Sequence, residues 1–285
     1  MWIKIALPVV AILLVVVAGA IAYGSSRWNA GTHAMRARLE VARLPIKPAT
    51  YDENEIEGLP APVRRYFRAV LKDGQPMVSV ARLRHEGRFN MGETRAKWRR
   101  FTSTQVAVTR RPGFDWDGRI AMAPGLKVFV HDAYVAGEGI LHVELLGLAT
   151  LADLRGTPEV ARGELMRFLA EAAWYPTALL PSQGVRWDPV DDQSAKATLT
   201  DGATTASLVF HFDGEGLISG VRAAARSRIV NGVLVATPWR GRFWGHEVRG
   251  GMRVPLEGEV AWELPEGSWP YWRGRATDIT YEFAQ

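Results

Sequence analysis

The sequence predicts a mainly β protein: an antiparallel, strongly curved sheet or open β-barrel with one central helix, plus an N-terminal transmembrane helix. Three observations predict it. Short segments of alternating apolar and polar residues, parted by glycine-rich turns, recur along most of the chain. That period of two marks strands with one buried and one wet face. A single long stretch, Gly156 to Ser182, breaks the period with a helical one, and Ile5 to Tyr23 is an uninterrupted apolar run. About ten to twelve antiparallel strands in one sheet must curl, because twist accumulates from strand to strand. The concave side then needs something to fill it.

Taken in order, the apolar run follows Lys4 and covers 19 residues, enough to span a bilayer as a helix. Ala18-Gly19-Ala20 also fits a cleavage site, so residues 1–24 are expected as a membrane anchor or a removed signal segment. Residues 25–58 are expected as a tether, with a short helix around Thr32 to Leu44 ended by Pro45 and Pro48. A single β-rich domain is expected over 59–285. It begins with an amphipathic helix in Leu59 to Gly74, where Val63, Tyr66, Phe67 and Val70 share one face. Arg64, Arg65, Arg68 and Lys72 cover the other face, which suits solvent, anionic headgroups or a partner protein.

Strands follow over Met77 to Phe89, Ala96 to Val108, Phe114 to Met122, Leu126 to Val135 and Ile140 to Leu146. In the third, Phe114, Trp116, Ile120 and Met122 share one face, and Asp115, Asp117 and Arg119 the other. The central helix, expected over 157–175, has Thr157 as its cap and Pro158 at its first position, where a missing N–H costs nothing. Leu165, Phe168, Leu169 and Ala172 form its apolar face; Pro176 and Pro181 bracket a tail of Trp174, Tyr175, Leu179 and Leu180. Further strands are expected over Ala195 to Thr200, Thr204 to Phe212, Leu217 to Val230, Val233 to Trp244, Val248 to Val254, Glu259 to Leu264 and Thr277 to Phe283. Asp201-Gly202 and Asn231-Gly232 are two-residue hairpin signals.

Composition narrows the function classes. The balance of 35 basic against 30 acidic residues is too slight and too dispersed for nucleic acid. With no cysteine, disulfides, thiolate metal sites, cysteine nucleophiles and a lipid-modified N-terminal cysteine are excluded. No G-x-S-x-G elbow, P-loop or dinucleotide glycine fingerprint occurs, so no catalytic residue, metal ligand set or cofactor is assigned.

Several segments resemble an uncharacterised bacterial family, a domain of unknown function. They are Leu59 to Pro76, Gly113 to Leu126, Asp132 to Gly139, Gly156 to Trp187 and the TPWRGR, EVAW and PYWRG pieces of Thr237 to Gly274. The resemblance covers nearly all of the chain after residue 58 and implies no activity. The layout is also similar to LolA-type lipoprotein-carrier half-barrels, in which a bent antiparallel sheet holds helices against an apolar hollow.

The functional expectation is a membrane-tethered, extracytoplasmic module that binds an apolar ligand of lipid or acyl type. It would sit at the bacterial inner membrane as a single-pass protein, contacting lipid through its N-terminal helix, or be secreted after cleavage. The expected ligand wall is Phe114, Trp116, Ile120, Met122, Leu165, Phe168, Trp174, Tyr175 and Leu179. Trp239, Trp244, Trp262, Trp269 and Trp272, interleaved with arginines, are a second aromatic candidate for a cavity mouth. Two alternatives stand beside this. Asp115, Asp117 and His131, with Asp132 nearby, offer oxygen and imidazole groups to a hydrolase-like site, against the plainer reading of a solvated strand face. A structural or partner-binding envelope protein would use the basic helix face.

Overall fold

The computed structural model describes residues 2–230 and 232–285, so Asn231 of the expected Asn231-Gly232 turn lies outside the described residues. The chain opens with helix α1, Trp2–Ala42, whose apolar run is exposed and long enough to cross a membrane. Helix α2 spans Ala61–Val70. The first strands are β1 Val78–Asn90, β2 Trp98–Val108, β3 Gly113–Ala123, β4 Leu126–Val135, β5 Glu138–Leu145 and β6 Ala149–Arg155. Helix α3, Pro158–Glu171, follows, and three short 3₁₀ turns lead from it to Gln183. The remaining strands are β7 Arg186–Asp191, β8 Ser194–Asp201, β9 Thr204–Phe212, β10 Ile218–Val230, β11 Val233–Arg249, β12 Met252–Leu264 and β13 Gly267–Phe283.

All thirteen strands form one antiparallel sheet in the order β6-β5-β4-β3-β2-β1-β13-β12-β11-β10-β9-β8-β7. Two meanders therefore meet where β1 pairs with β13, and α3 carries the chain from one sheet edge to the other. α3 packs on both β5 and β9, so it lies in the hollow of the curved sheet, as the sequence led us to expect. Thr157 caps it by accepting from Val160 N, and Leu165, Phe168 and Leu169 are buried. α2 closes another part of the hollow: Val63, Tyr66, Phe67 and Val70 are buried, and Tyr66 lies against Phe212.

Sequence reading and structure part at several strands. β6 and β7, both at sheet edges, are short and poorly alternating, and neither was expected. Val248 to Val254, expected as one strand, instead contains the turn at Gly250 and Gly251 between β11 and β12; both glycines adopt a positive φ, which a side chain would strain. β13 begins ten residues before the expected Thr277, because its Trp- and Pro-rich start reads poorly as alternation.

The larger correction concerns the expected tether at 25–58. α1 does not break after the apolar run but continues to Ala42 over the convex face of the sheet. Trp28, Thr32 and Leu39 are buried there, and Leu39 joins Val80, Val108, Ala133, Val135 and Ile140 in a second small core. Tyr51 and Ile56 are buried in the main core. The contact stripe of α1 mixes Trp, Thr, Arg and Leu, and so hides from a search for apolar periodicity.

Candidate functional site

Alternation along β3 and β4 sends neighbouring side chains to opposite faces, so the two faces of the sheet carry two separate clusters. On the convex face, Asp115, Asp117 and His131 come together under α1. His131 Nδ1 is 2.7 Å from Asp115 Oδ1, and Asp115 Oδ2 accepts from Arg36 Nε at 2.8 Å. Asp117 accepts from Trp28 Nε1 at 3.0 Å and Thr32 Oγ1 at 2.9 Å, and is also bound by Arg119. The Trp28 ring stacks on His131 at 4.5 Å and on His142 at 5.6 Å. Burial pulls the Arg119 guanidinium down to about 10. These acids are therefore not a solvated strand face: they are buried and bound by a helix that was expected to hang free. Every carboxylate oxygen of Asp115 and Asp117 has a partner from α1, β3 or β4. Among the described residues, no group of three or more His, Asp or Glu side chains is arranged to hold a metal ion.

The concave face differs. Beside α3 lies a cavity of about 120 Å³, walled by Phe89, Trp116, Trp174, Phe243, Tyr271 and Trp272 among others. A charged floor accompanies these rings. Arg167 of α3 donates to Asp132 at 2.5 Å and to Glu171 at 2.7 Å, with its guanidinium 5.0 Å from the Phe114 ring centre and 5.3 Å from that of Trp116. Arg226 donates to Glu164 at 2.9 Å, to Gly163 O and to the Tyr271 hydroxyl, which also accepts from Trp239 Nε1 at 2.9 Å. Burial, with the Asp132 carboxylate close by, pushes Glu164 well above the usual carboxyl range despite Arg226 and Arg167. Glu164 is thus held toward its neutral form, and the remaining charges balance: Arg167 and Arg226 against Asp132 and Glu171. Burial, and then the Arg167 charge, lowers His85 to about 3, so this imidazole beside Trp174 is neutral. Trp174 Nε1, in the cavity wall, has no hydrogen-bond partner although Trp174 is only 3% exposed.

Of the nine residues expected to contact a ligand, Trp116 and Trp174 line this cavity. Phe114, Ile120, Leu165, Phe168, Tyr175 and Leu179 pack in the filled core around it, and Met122 is partly buried against that core. From the tryptophan-rich run, Trp239 and Trp272 reach the cavity, while Trp262 stacks on Tyr271 at 5.4 Å. Trp244 is 42% exposed and bonds Glu257. Of the floor residues, Arg167 and Glu171 stand four apart on α3, the spacing of a helical ion pair, whereas Asp132 and Arg226 lie far from them in the sequence.

Residues 57–281 match the model of a family of unknown function, DUF6920, and the chain belongs to that family. Among solved structures, the chain is similar to a LolA superfamily protein from Nitrosomonas europaea. The two share 11% identity and a TM-score of 0.34, over 73% of this chain and 88% of the other. At that level of overlap the likeness carries no functional argument. No curated protein matches the sequence.

Proposed function

We propose that this chain is a membrane-tethered, extracytoplasmic binding module that takes an apolar group of lipid or acyl character into the aromatic cavity. The observation that supports this best is the cavity itself: a hollow walled by aromatic rings, with an unpaired indole N–H, in a sheet otherwise filled by its own side chains. An apolar cavity of about 150 Å³ binds benzene, so about 120 Å³ suits a ring or a short length of acyl chain. Each methylene moved there from water contributes about 0.8 kcal/mol. The unpaired Trp174 N–H offers one hydrogen bond to an acceptor such as an ester carbonyl. With its guanidinium groups already engaged by carboxylates, the floor offers little to a free anion.

The test uses the full-length chain in vesicles containing a diazirine-bearing acyl ester, with mass-spectrometric mapping of photo-crosslinks. The expected result is labelling at Trp174, Tyr271 or Trp239, lost in Leu141→Trp, which sets an indole into the cavity. Crosslinks confined to α1, or unchanged in Leu141→Trp, would remove the binding reading. Extracytoplasmic placement is a separate part of this proposal with its own check: a cytoplasm-only reporter fused after Gln285 is expected to be inactive.

A further inference from the structure

The apolar run of α1 ends at Tyr23, and the next residue already touches the domain. A Cβ at Gly24 would lie 2.3 Å from Leu146 O and 2.8 Å from Leu148 Cγ, so helix and β5–β6 turn are in direct contact. One turn on, Arg27 donates to Gly147 O at 3.0 Å and binds Glu144. From there α1 advances across the convex face, bonding Asp117 from Trp28 and Asp115 from Arg36. Leu44 N then reaches Arg110 O at the other end of the strands. Along β1 to β5, the ends at Asn90–Trp98, Ala123–Leu126 and Leu145–Ala149 therefore share the side from which the apolar run departs. No flexible link separates the apolar run from the sheet, since α1 is one continuous helix.

We infer that the β5–β6 and β3–β4 turns form a bilayer-docking surface, with Leu148 and Leu151 seated among lipid headgroups and upper acyl chains. This rests on the reading that α1 crosses a membrane, and it adds a second contact that the helix alone does not require. At about 1.5 Å rise per residue, a turn touching Gly24 is level with the end of the hydrocarbon span. Two apolar side chains occupy that level with little else to bury them: Leu148 is 42% and Leu151 57% exposed. The adjoining β3–β4 turn adds Lys127, an exposed cation, whose carbonyl accepts from Leu146 N. An apolar pair beside a lysine suits the boundary between acyl chains and headgroups.

The chain has no cysteine, so single labels can be placed without background. Leu148→Cys, Leu151→Cys, Val15→Cys and Lys72→Cys would each carry an environment-sensitive fluorophore. The proteins are reconstituted in phosphatidylethanolamine–phosphatidylglycerol vesicles, without spin label or with lipids spin-labelled either near the headgroup or deep in the acyl chain. Val15 reports the span itself, and Lys72 lies near the start of β1, about 40 Å of strand from its far end. The expected result is loss of fluorescence to the spin-labelled lipid at positions 148 and 151, and none at 72. Quenching at 15 with positions 148 and 151 as bright as 72 would overturn the docking surface while leaving the anchor intact. A bright label at 15, from both shallow and deep quenchers, would overturn the anchor and the docking with it.

Discussion

The two faces of one sheet present buried charge in opposite conditions. On the convex face, Asp115, Asp117 and His131 are closed over by α1, and each finds a donor or ring partner from it. On the concave face, Arg167, Arg226 and three carboxyls bond among themselves, while the Trp174 N–H, one oxygen of Glu164 and one of Gln105 stay unpaired beside a cavity. A buried polar group without a partner costs roughly 1–3 kcal/mol, so a fully partnered cluster reads as structure and a partly partnered one as a place for a guest. From the sequence alone the acids read first as a solvated strand face and only second as a hydrolase-like site; the helix that buries them was not in view.

The contrast can be broken most forcefully at the clamp. Arg36→Ala leaves the buried Asp115 with His131 as its one remaining side-chain partner, and is expected to cost about 3 kcal/mol. Thermal unfolding of the detergent-solubilised full chain would show it, and Arg36→Met with Asp115→Leu should recover much of the loss. An Arg36→Ala protein as stable as the parent would mean that α1 is not held there.

Acid should act next, through the concave face. His85 has a folded value depressed to about 3 from 6.5, so the unfolded chain binds the proton first. Its contribution is complete above about pH 6.5 and is lost as pH falls toward about 3, by up to about 1.4 kcal/mol per unit. His85→Phe should flatten that part of the stability–pH curve; an unchanged slope would assign it to other groups. Smaller still is Glu164→Gln, which replaces a carboxyl already held toward neutrality and should move stability by less than about 1 kcal/mol. A loss as large as that of Arg36→Ala would show Glu164 to be ionised. The least change is expected for Trp174→Phe, where losing ring volume offsets removing an unsatisfied N–H. Its stability should stay within about 1 kcal/mol of the parent, while crosslinking by the acyl ester drops.

Most of the architecture was legible in the residues. Alternation in β3 and β9 gave both the strands and their inward faces, and Thr157-Pro158 marked the start of α3; in β10 alternation would put Arg226 outside with Arg222, but a shift of register between Ala223 and Arg226 turns it inward. The edge strands β6 and β7 were not legible, since a short edge pairs on one side only and need not alternate. Nor was the docking of α1: Trp28, Thr32, Arg36 and Leu39 lie on one helix face, but their partners Asp117, Asp115 and His131 come from far along the chain. The cavity was half visible. Trp116 and Trp174 could be named because they sit in strongly patterned elements, and Trp239 and Trp272 because they belong to the tryptophan-rich run, whereas Tyr271 depends on how β13 bends toward α3. A pattern of burial tells which side chains point inward; it does not tell which of them stop short of touching.

The meeting of the two meanders has a consequence for biosynthesis. β1 is among the earliest strands to emerge from the ribosome, yet its partner on one side is β13, the last. Until β13 is made, β1 offers a bare ladder of backbone donors and acceptors on that side, open to mispairing with any neighbouring chain. Removing β13 would thus split the sheet at its middle rather than fray its margin, and nascent copies should need shielding until that strand has emerged.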